Sequence, residues 1–295
     1  MSTAKATGPQ APVAAHRGHG TTAATHEHHG TFAPGHDATE ADLAKAPGHW
    51  VLARMGKRVL RPGGLELTRR MIEALGIGPE HHVVEFAPGL GGTAAMVLDH
   101  KPKSYTGIDR DATVVERLQA TLGGPGRRFL TGQAAGTDLP PASADRVYGE
   151  AMLTMHADHR KQEIIREAHR LLRPGGLYAI HELGLQPDTL PAARKATVQR
   201  DLATAIRVNA RPLTAHEWQA LLEAEGFTVL WVGQSPMRLL EPGRMIADEG
   251  LAGALRITWN ILRNPAARQR VQDMRHVFQR HRASMNAVAI VAARS

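Results

Sequence analysis

Apolar and polar positions alternate in two distinct ways along most of the chain. Short apolar runs occupy residues 82–86, 105–109, 128–130, 146–149 and 177–183. Between them lie longer stretches whose apolar residues recur every three or four positions, for example in residues 161–172. Short buried runs separated by amphipathic helices are typical of βαβ units. The pattern therefore predicts an α/β fold built on a mostly parallel sheet with right-handed crossovers.

The C-terminal third of the chain adds further elements. They are, in order, a helix over 188–208, a helix opened by a capping box at Thr214 and Glu217, a strand over 227–232, two or three helices between 244 and 282, and an apolar strand over 286–292. Two late strands separated by a helical insert predict an antiparallel pair that closes one edge of the sheet.

The chain divides into three parts by composition. Residues 1–39 are rich in Ala, Thr, Gly and His and hold six of the 17 histidines, so we expect a disordered tail. Clustered imidazoles can capture transition metals, but a solvated tail is the simpler interpretation. Residues 40–75 are predicted to form an N-terminal helical cap, and residues 76–295 form the main domain, with a helical insert at about 234–284.

Composition and charge exclude several classes of protein. The chain has no Cys, which excludes disulfides, thiolate metal sites and cysteine nucleophiles. The net charge is +8, but the basic residues are scattered, so a nucleic-acid partner is not favoured. No run is long and apolar enough for a membrane span, and no secretory signal is recognisable, so we expect no membrane partner and a cytoplasmic location. We predict no metal site.

The sharpest chemical signal is a glycine-rich turn after the first predicted strand, at Gly89, Gly91 and Gly92. Glycines there let the backbone approach a ligand, and the following helix offers free N–H groups. Glu85 precedes the turn, and Asp109 ends the next strand. An acid at that strand tip is placed to accept hydrogen bonds from ribose hydroxyls, so the pattern predicts a site for a nucleoside-bearing ligand.

The identity of that nucleoside stays open at this point. Residues 89–94 match the dinucleotide fingerprint G-x-G-x-x-G/A, with Asp109 at the expected separation, which favours NAD(P). Two features favour another nucleoside. One is the acid Glu85 near the end of the strand, and the other is the turn Leu172-Arg173-Pro174-Gly175-Gly176 before a later strand.

At these residues the chain resembles the class I S-adenosylmethionine (SAM)-dependent methyltransferases. Residues 85–91 are similar to the family's motif acid-x-G-x-G-x-G, with Ala87 in place of the first glycine. Asp109 matches the family's ribose-binding acid, and Gln133 replaces the acid that binds the adenine amino group. The resemblance covers about residues 64 to 292.

The resemblance implies a doubly wound sheet of seven strands in the order 3-2-1-4-5-7-6, with the last strand antiparallel and with added helices. It also implies that SAM lies over the carboxyl ends of strands 1, 2 and 4, and that Glu85 orients its methionine end. The cofactor-binding residues that it implies are Glu85, Ala87, Gly89, Gly91, Asp109, Arg110, Gln133, Ala134 and Glu150.

We expect methyl transfer to a small-molecule acceptor by in-line displacement. His156, in the loop after strand 4, is the candidate base, since a histidine titrates near neutral pH. The alternatives are an NAD(P)-dependent oxidoreductase, an RNA methyltransferase that uses the basic surface, and a binding module that has lost methyl chemistry. The sequence does not predict the oligomeric state.

Overall fold

The computed structural model describes residues 40–295, so the predicted tail and its histidines lie outside the described residues. The helices are α1 (Glu40–Lys45), α2 (Gly48–Arg54), α3 (Gly64–Leu75), α4 (Gly92–Asp99), α5 (Ala112–Leu122), α6 (Asp158–Leu171), α7 (Ala192–Ile206), α8 (Ala215–Ala224), α9 (Pro242–Arg263) and α10 (Pro265–Arg280). The strands are β1 (His82–Phe86), β2 (Ser104–Asp109), β3 (Arg127–Thr131), β4 (Ala144–Glu150), β5 (Leu172–Leu185), β6 (Leu213–Thr214), β7 (Phe227–Pro236) and β8 (Met285–Arg294).

The strands form one mixed sheet in the order β3-β2-β1-β4-β5-β8-β7, and the two-residue β6 pairs with the end of β5. All pairs from β3 to β5 are parallel, and β8 is antiparallel to both β5 and β7. The predicted order is confirmed. The strand numbers differ only because the short β6 was not foreseen.

Apolar residues cover both faces of this sheet. One buried cluster joins one face to α6 and α8 and includes Phe86, Ile180 and Trp218. The other joins the opposite face to α3, α4 and α5 and includes Leu67 and Val97. Helices on both faces of a parallel sheet define the doubly wound class.

Helices from both ends of the chain meet beyond the carboxyl end of β5. A third buried cluster there includes Leu52 of α2, Val198 and Leu202 of α7, and Met274 of α10. The helix α3 packs on β5, β7 and β8 rather than within this group. The carboxyl edge of the sheet is therefore bordered by α2, α7 and α10.

Several element boundaries differ from the expected ones. The strand β5 begins at Leu172, which pairs with Ala144 of β4; the register then shifts, and the next pair is Leu177 with Arg146, with Gly175 at φ +74° between them. The predicted helix over 188–208 begins later, at Ala192, after Pro191. The helical insert consists of α9 and α10, and α9 is interrupted at Gly250 (φ +74°). Among the described residues, no helix has the length and apolarity that a membrane span needs.

Candidate functional site

The turn between β1 and α4 is built from left-handed backbone. Ala87, Gly89 and Gly91 have φ values of 54°, 54° and 80°. A Cβ on Gly89 would have only the Ala87 carbonyl oxygen nearby, at 3.8 Å, whereas a Cβ on Gly91 would lie 2.4 Å from Leu118 Cδ2. Gly91 therefore permits packing beneath the turn, and Gly89 leaves its upper side open to a ligand.

Four titratable side chains form a row across the carboxyl ends of adjacent strands. In the parallel registers Glu85 of β1 lies opposite Gly107 and Tyr148, and Glu150 of β4 lies opposite His181 of β5. Side chains two positions apart on a strand share a face of the sheet. Asp109, Glu85, Glu150 and His181 therefore share one face, in that order across β2, β1, β4 and β5.

Asp109 connects the tip of β2 to the glycine turn. Its carboxylate accepts hydrogen bonds from the backbone N–H of Gly89 at 3.2 Å and of Asp111 at 3.1 Å. Burial raises the pKa of Asp109, and these backbone N–H bonds act against the rise. The acid is 9% exposed, so its outer side can still meet a ligand.

Glu85 lies deeper and is almost fully buried. Its carboxylate accepts hydrogen bonds from the hydroxyls of Tyr148, at 2.8 Å, and of Tyr105. Burial raises the pKa of Glu85 to about 7, although both tyrosine hydroxyls favour the ionised form. Glu85 therefore changes its protonation state near neutral pH.

Glu150 is surrounded by donors. It accepts from Thr68 Oγ1 at 2.7 Å and from Thr93 Oγ1, it lies 2.7 Å from His181 Nδ1, and Arg61 Nε approaches it at 3.3 Å. Burial would raise the pKa of Glu150, but the Arg61 charge and then the His181 hydrogen bond outweigh it and lower the value to about 2. Glu150 is therefore a permanent anion that holds its neighbours in place.

Arg61 is the site residue that the sequence interpretation missed. It lies in the loop before α3, with its Nε donating to Thr68 Oγ1 at 2.6 Å. Its Nη1 is 4.0 Å from the position of a Cβ on Gly92, so the guanidinium stands at the N-terminus of α4. Its Nη2 is buried and has no hydrogen-bond partner among residues 40–295. No motif surrounds this arginine, so only the fold could reveal it.

Arg110, Gln133 and Ala134 lie at the rim of the site. Arg110 follows β2 and is exposed. Burial lowers the pKa of His49 on α2 to about 4, and the Arg110 charge contributes a smaller part of this shift. The Gln133 side-chain oxygen accepts a hydrogen bond from Arg160 Nη2. Ala134 is half-buried against the core cluster under α6. Gln133 thus offers its oxygen to a ligand only in competition with Arg160.

The loop after β4 is fixed by a buried carboxylate. Glu182 accepts hydrogen bonds from the backbone N–H groups of Met152, Leu153 and Thr154, at 3.0, 2.7 and 3.0 Å, and from Thr154 Oγ1 at 2.7 Å. His156 follows this segment, two residues before α6, and is half-buried. The His156 N–H donates to the Leu153 carbonyl at 3.0 Å, so the position of His156 depends on the segment that Glu182 holds.

These residues fit a nucleoside that carries an amino-acid end. The open side of the glycine turn and Asp109 suit a ribose. The unpartnered Arg61 Nη2, at a helix N-terminus, suits a carboxylate. A doubly wound sheet with such a site at its carboxyl edge defines a Rossmann-like nucleoside-binding protein.

Comparisons with known proteins identify the family. A family described as a methyltransferase domain matches residues 83–176. A Haemophilus influenzae protein, described only as uncharacterized, is 33% identical over 220 residues, or 73% of this chain and 86% of its own length. The uncharacterized methyltransferase YodH of Bacillus subtilis is 25% identical over 179 residues, or 60% of this chain and 72% of its own.

A solved structure agrees in fold. Geranyl diphosphate methyltransferase in complex with SAM aligns with a TM-score of 0.56 and 16% identity over 78% of this chain and 85% of the other. The chain belongs to the class I SAM-dependent methyltransferases, and SAM is its methyl donor.

Proposed function

We propose that this enzyme transfers the methyl group of SAM to a small-molecule acceptor. The observation that carries the proposal is the row of Asp109, Glu85 and Glu150 beside the buried, unpartnered Nη2 of Arg61. These groups match a ligand with a ribose at one end and an amino acid at the other. A dinucleotide has no amino-acid end, which argues against the oxidoreductase alternative.

Each cofactor-binding residue has a role in this proposal. Asp109 accepts hydrogen bonds from the ribose hydroxyls, and the Ala87–Gly91 backbone lies against the nucleoside. Arg61 binds the carboxylate of the methionine end, Glu85 orients its ammonium group, and Glu150 holds Arg61 in place. At the adenine end, Ala134 contributes its backbone and Gln133 its amide, and Arg110 covers the outer edge of the site.

The bound cofactor supplies an electrophilic methyl carbon on a sulfonium. The chain must therefore align the acceptor and exclude water rather than create the electrophile. The loop that Glu182 fixes borders the acceptor side. If the acceptor is an alcohol or phenol, His156 removes its proton.

The helices that border the site support a small acceptor. The apolar cluster formed by α2, α7 and α10 covers the carboxyl end of β5, next to His181. Such a cover restricts the space beside the cofactor and suits a small molecule better than an RNA helix. The SAM-bound structural neighbour is named for a small diphosphate acceptor, which agrees with this class.

Calorimetry of the purified protein tests the cofactor site. We expect SAM to bind and NAD(P) not to bind. Asp109→Ala should weaken SAM binding by on the order of 1.5–3 kcal/mol for each charge-assisted hydrogen bond lost. Unchanged SAM affinity in this variant would remove Asp109 from the site, and tight NAD(P) binding would contradict the proposal.

The acceptor is tested separately, by methyl transfer from labelled SAM. Panels of small alcohols, phenols and amines are compared with tRNA and rRNA. His156→Ala should lower turnover of a hydroxyl acceptor without changing SAM affinity, whereas His159→Ala, on the exposed start of α6, should change neither. Label in RNA alone, lost steeply with salt, would contradict the small-molecule assignment.

A further inference from the structure

The exposed side of α9 carries most of the large apolar surface of the described chain. Among residues 40–295, six large apolar side chains are exposed, and α9 holds five of them: Ile246, Leu251, Leu255, Trp259 and Leu262, which are 45–63% exposed. The last four are spaced by four, four and three residues, so they form one stripe along the helix. We call this stripe the α9 apolar face.

The helix α9 already has another side that packs on the protein, so the α9 apolar face is not its core-facing side. The opposite side of α9 is already packed, with Ala254 6% and Ile257 0% exposed. Contiguous exposed apolar surface of this kind marks an interaction site in a soluble protein.

The exposed charged residues of α9 beside the stripe are positive. Arg256 and Arg263 are exposed on its flank, and the Arg263 guanidinium lies over the Trp259 ring at 4.6 Å. The two acids of α9, Asp248 and Glu249, are buried; Asp248 binds the Leu65 N–H in the first turn of α3, and Glu249 binds the chain before α3. The exposed surface of the helix therefore presents apolar groups and positive charge without a carboxylate.

We propose that the α9 apolar face docks on the surface of an anionic phospholipid bilayer. Arginines beside a stripe of Leu and Trp complement lipid phosphates above an acyl layer. A fluid lipid surface accepts such a stripe without a matching groove. A second copy of the chain fits less well, because two such faces would oppose arginine to arginine. Surface docking needs no membrane-spanning helix.

The position of α9 connects this surface to the cofactor site. Asp248 Oδ1 accepts from the Leu65 N–H at 3.1 Å, and Glu249 Oε1 accepts from the N–H groups of Arg58 and Val59, both at 2.8 Å. These bonds hold the segment that contains Arg61. The part of α9 that carries the stripe, after Gly250, contacts the same region through Asn260 Nδ2, which donates to the Met55 carbonyl at 3.0 Å.

Vesicle co-sedimentation of the full chain tests the proposal. We expect binding to vesicles of phosphatidylglycerol with phosphatidylcholine, little binding to phosphatidylcholine alone, and weakening in high salt. Leu255→Ser should reduce binding at least tenfold. Leu230→Ser is the matched control, because Leu230 is 59% exposed on β7, outside α9, and its loss should change nothing.

Charge and fluorescence give two independent readouts. Arg256→Glu combined with Arg263→Glu should abolish binding, whereas Arg127→Glu with Arg200→Glu, an equal charge change elsewhere on the surface, should preserve most of it. Anionic vesicles should shift tryptophan emission to the blue, and Trp259→Phe should remove that shift. Circular dichroism melting confirms that each variant folds.

Three outcomes would overturn the proposal. The first is absence of binding to anionic vesicles. The second is a loss of vesicle binding that is equally large in Leu255→Ser and in Leu230→Ser. The third is a concentration-dependent dimer that Leu255→Ser dissociates, which would assign the face to a second copy of the chain.

Discussion

Glu85 and Glu150 lie at the ends of neighbouring strands, and burial acts on both in the same direction. For Glu85 burial dominates and raises the pKa to about 7, since its partners are neutral tyrosine hydroxyls. For Glu150 the Arg61 charge and the His181 hydrogen bond reverse the effect of burial. Two carboxylates on one sheet edge thus acquire different roles, one titrating near neutrality and one permanently charged.

Cofactor binding should depend on pH through Glu85. If the ionised carboxylate orients the ammonium group of SAM, affinity should rise about tenfold between pH 6 and pH 8, because a group with a pKa near 7 gains its charge across that range. Calorimetry in buffers of different ionisation enthalpy would show the proton released on binding. Glu85→Gln should bind more weakly and without this pH dependence; a dependence that persists in the variant would exclude Glu85 as its source.

Glu85 should also make the free energy of unfolding depend on pH, in the opposite direction to the SAM affinity. The folded pKa of about 7 exceeds the ordinary 4.5, so the folded state holds more protons between these values. The free energy of unfolding should therefore fall as pH rises from about 4.5 to 7, by up to roughly 3 kcal/mol. Glu85→Gln should remove most of this slope in denaturant titrations. An unchanged slope would mean that other groups cause it.

Arg61 should act on one end of the cofactor only. Arg61→Met should weaken SAM binding by about 1.5–3 kcal/mol, the range for a hydrogen bond to a charged group. It should leave the affinity for methylthioadenosine, which lacks the amino-acid part, almost unchanged. Arg69→Met is a matched control, since Arg69 is exposed on α3. Equal losses for the two ligands would indicate general damage to the site.

At the scale of elements, two glycines of the β1–α4 turn have different structural roles. Gly91→Ala would place a methyl group 2.4 Å from Leu118 Cδ2 at a left-handed position, so it should destabilise the fold by about 1–3 kcal/mol. Gly89→Ala meets open space and costs mainly backbone strain, about 1–2 kcal/mol. We expect Gly89→Ala, at the ligand side, to lose more SAM affinity relative to its loss of stability.

Thermal melting and SAM calorimetry on both glycine variants check this contrast. The expected result is a larger drop in melting temperature for Gly91→Ala and a larger drop in affinity for Gly89→Ala. The reverse ranking would show that the open side of the turn does not face the cofactor.

At the scale of the whole molecule, residues from distant parts of the chain assemble the site. Arg61 comes from before α3, Thr93 from α4, Glu150 from β4 and His181 from β5. The parallel sheet brings them together because its strands end at one edge. The late helix α9 then holds the Arg61 segment through Asp248 and Glu249.

The tail should be dispensable for folding and cofactor binding. Its composition lacks the apolar residues needed to form a core, so deletion of residues 1–39 should leave the melting temperature and SAM affinity unchanged. Differential scanning fluorimetry and calorimetry on the truncated chain measure both. A drop of several degrees would show that the tail contributes to the folded domain.

The sequence alone determined the α/β fold class and the glycine turn between Glu85 and Asp109. These two features depend on local signals, namely apolar periodicity and turn glycines, which can be recognised along the chain. The strand order came from the resemblance to the methyltransferase family, because local patterns do not specify which strands lie side by side. The sequence did not foresee β6, whose two residues form a strand only by pairing with β5. Short elements of this kind depend on a partner rather than on their own pattern.

The tertiary structure decided which side chains face one another. Tyr105 and Tyr148 enclose Glu85, Arg61 reaches Glu150 across 89 residues of sequence, and Glu182 holds the loop after β4. No local pattern encodes such pairs, because burial and charge at each position depend on distant segments. The same reason applies to α9, whose periodicity shows an amphipathic helix while only its packing shows which apolar residues remain exposed.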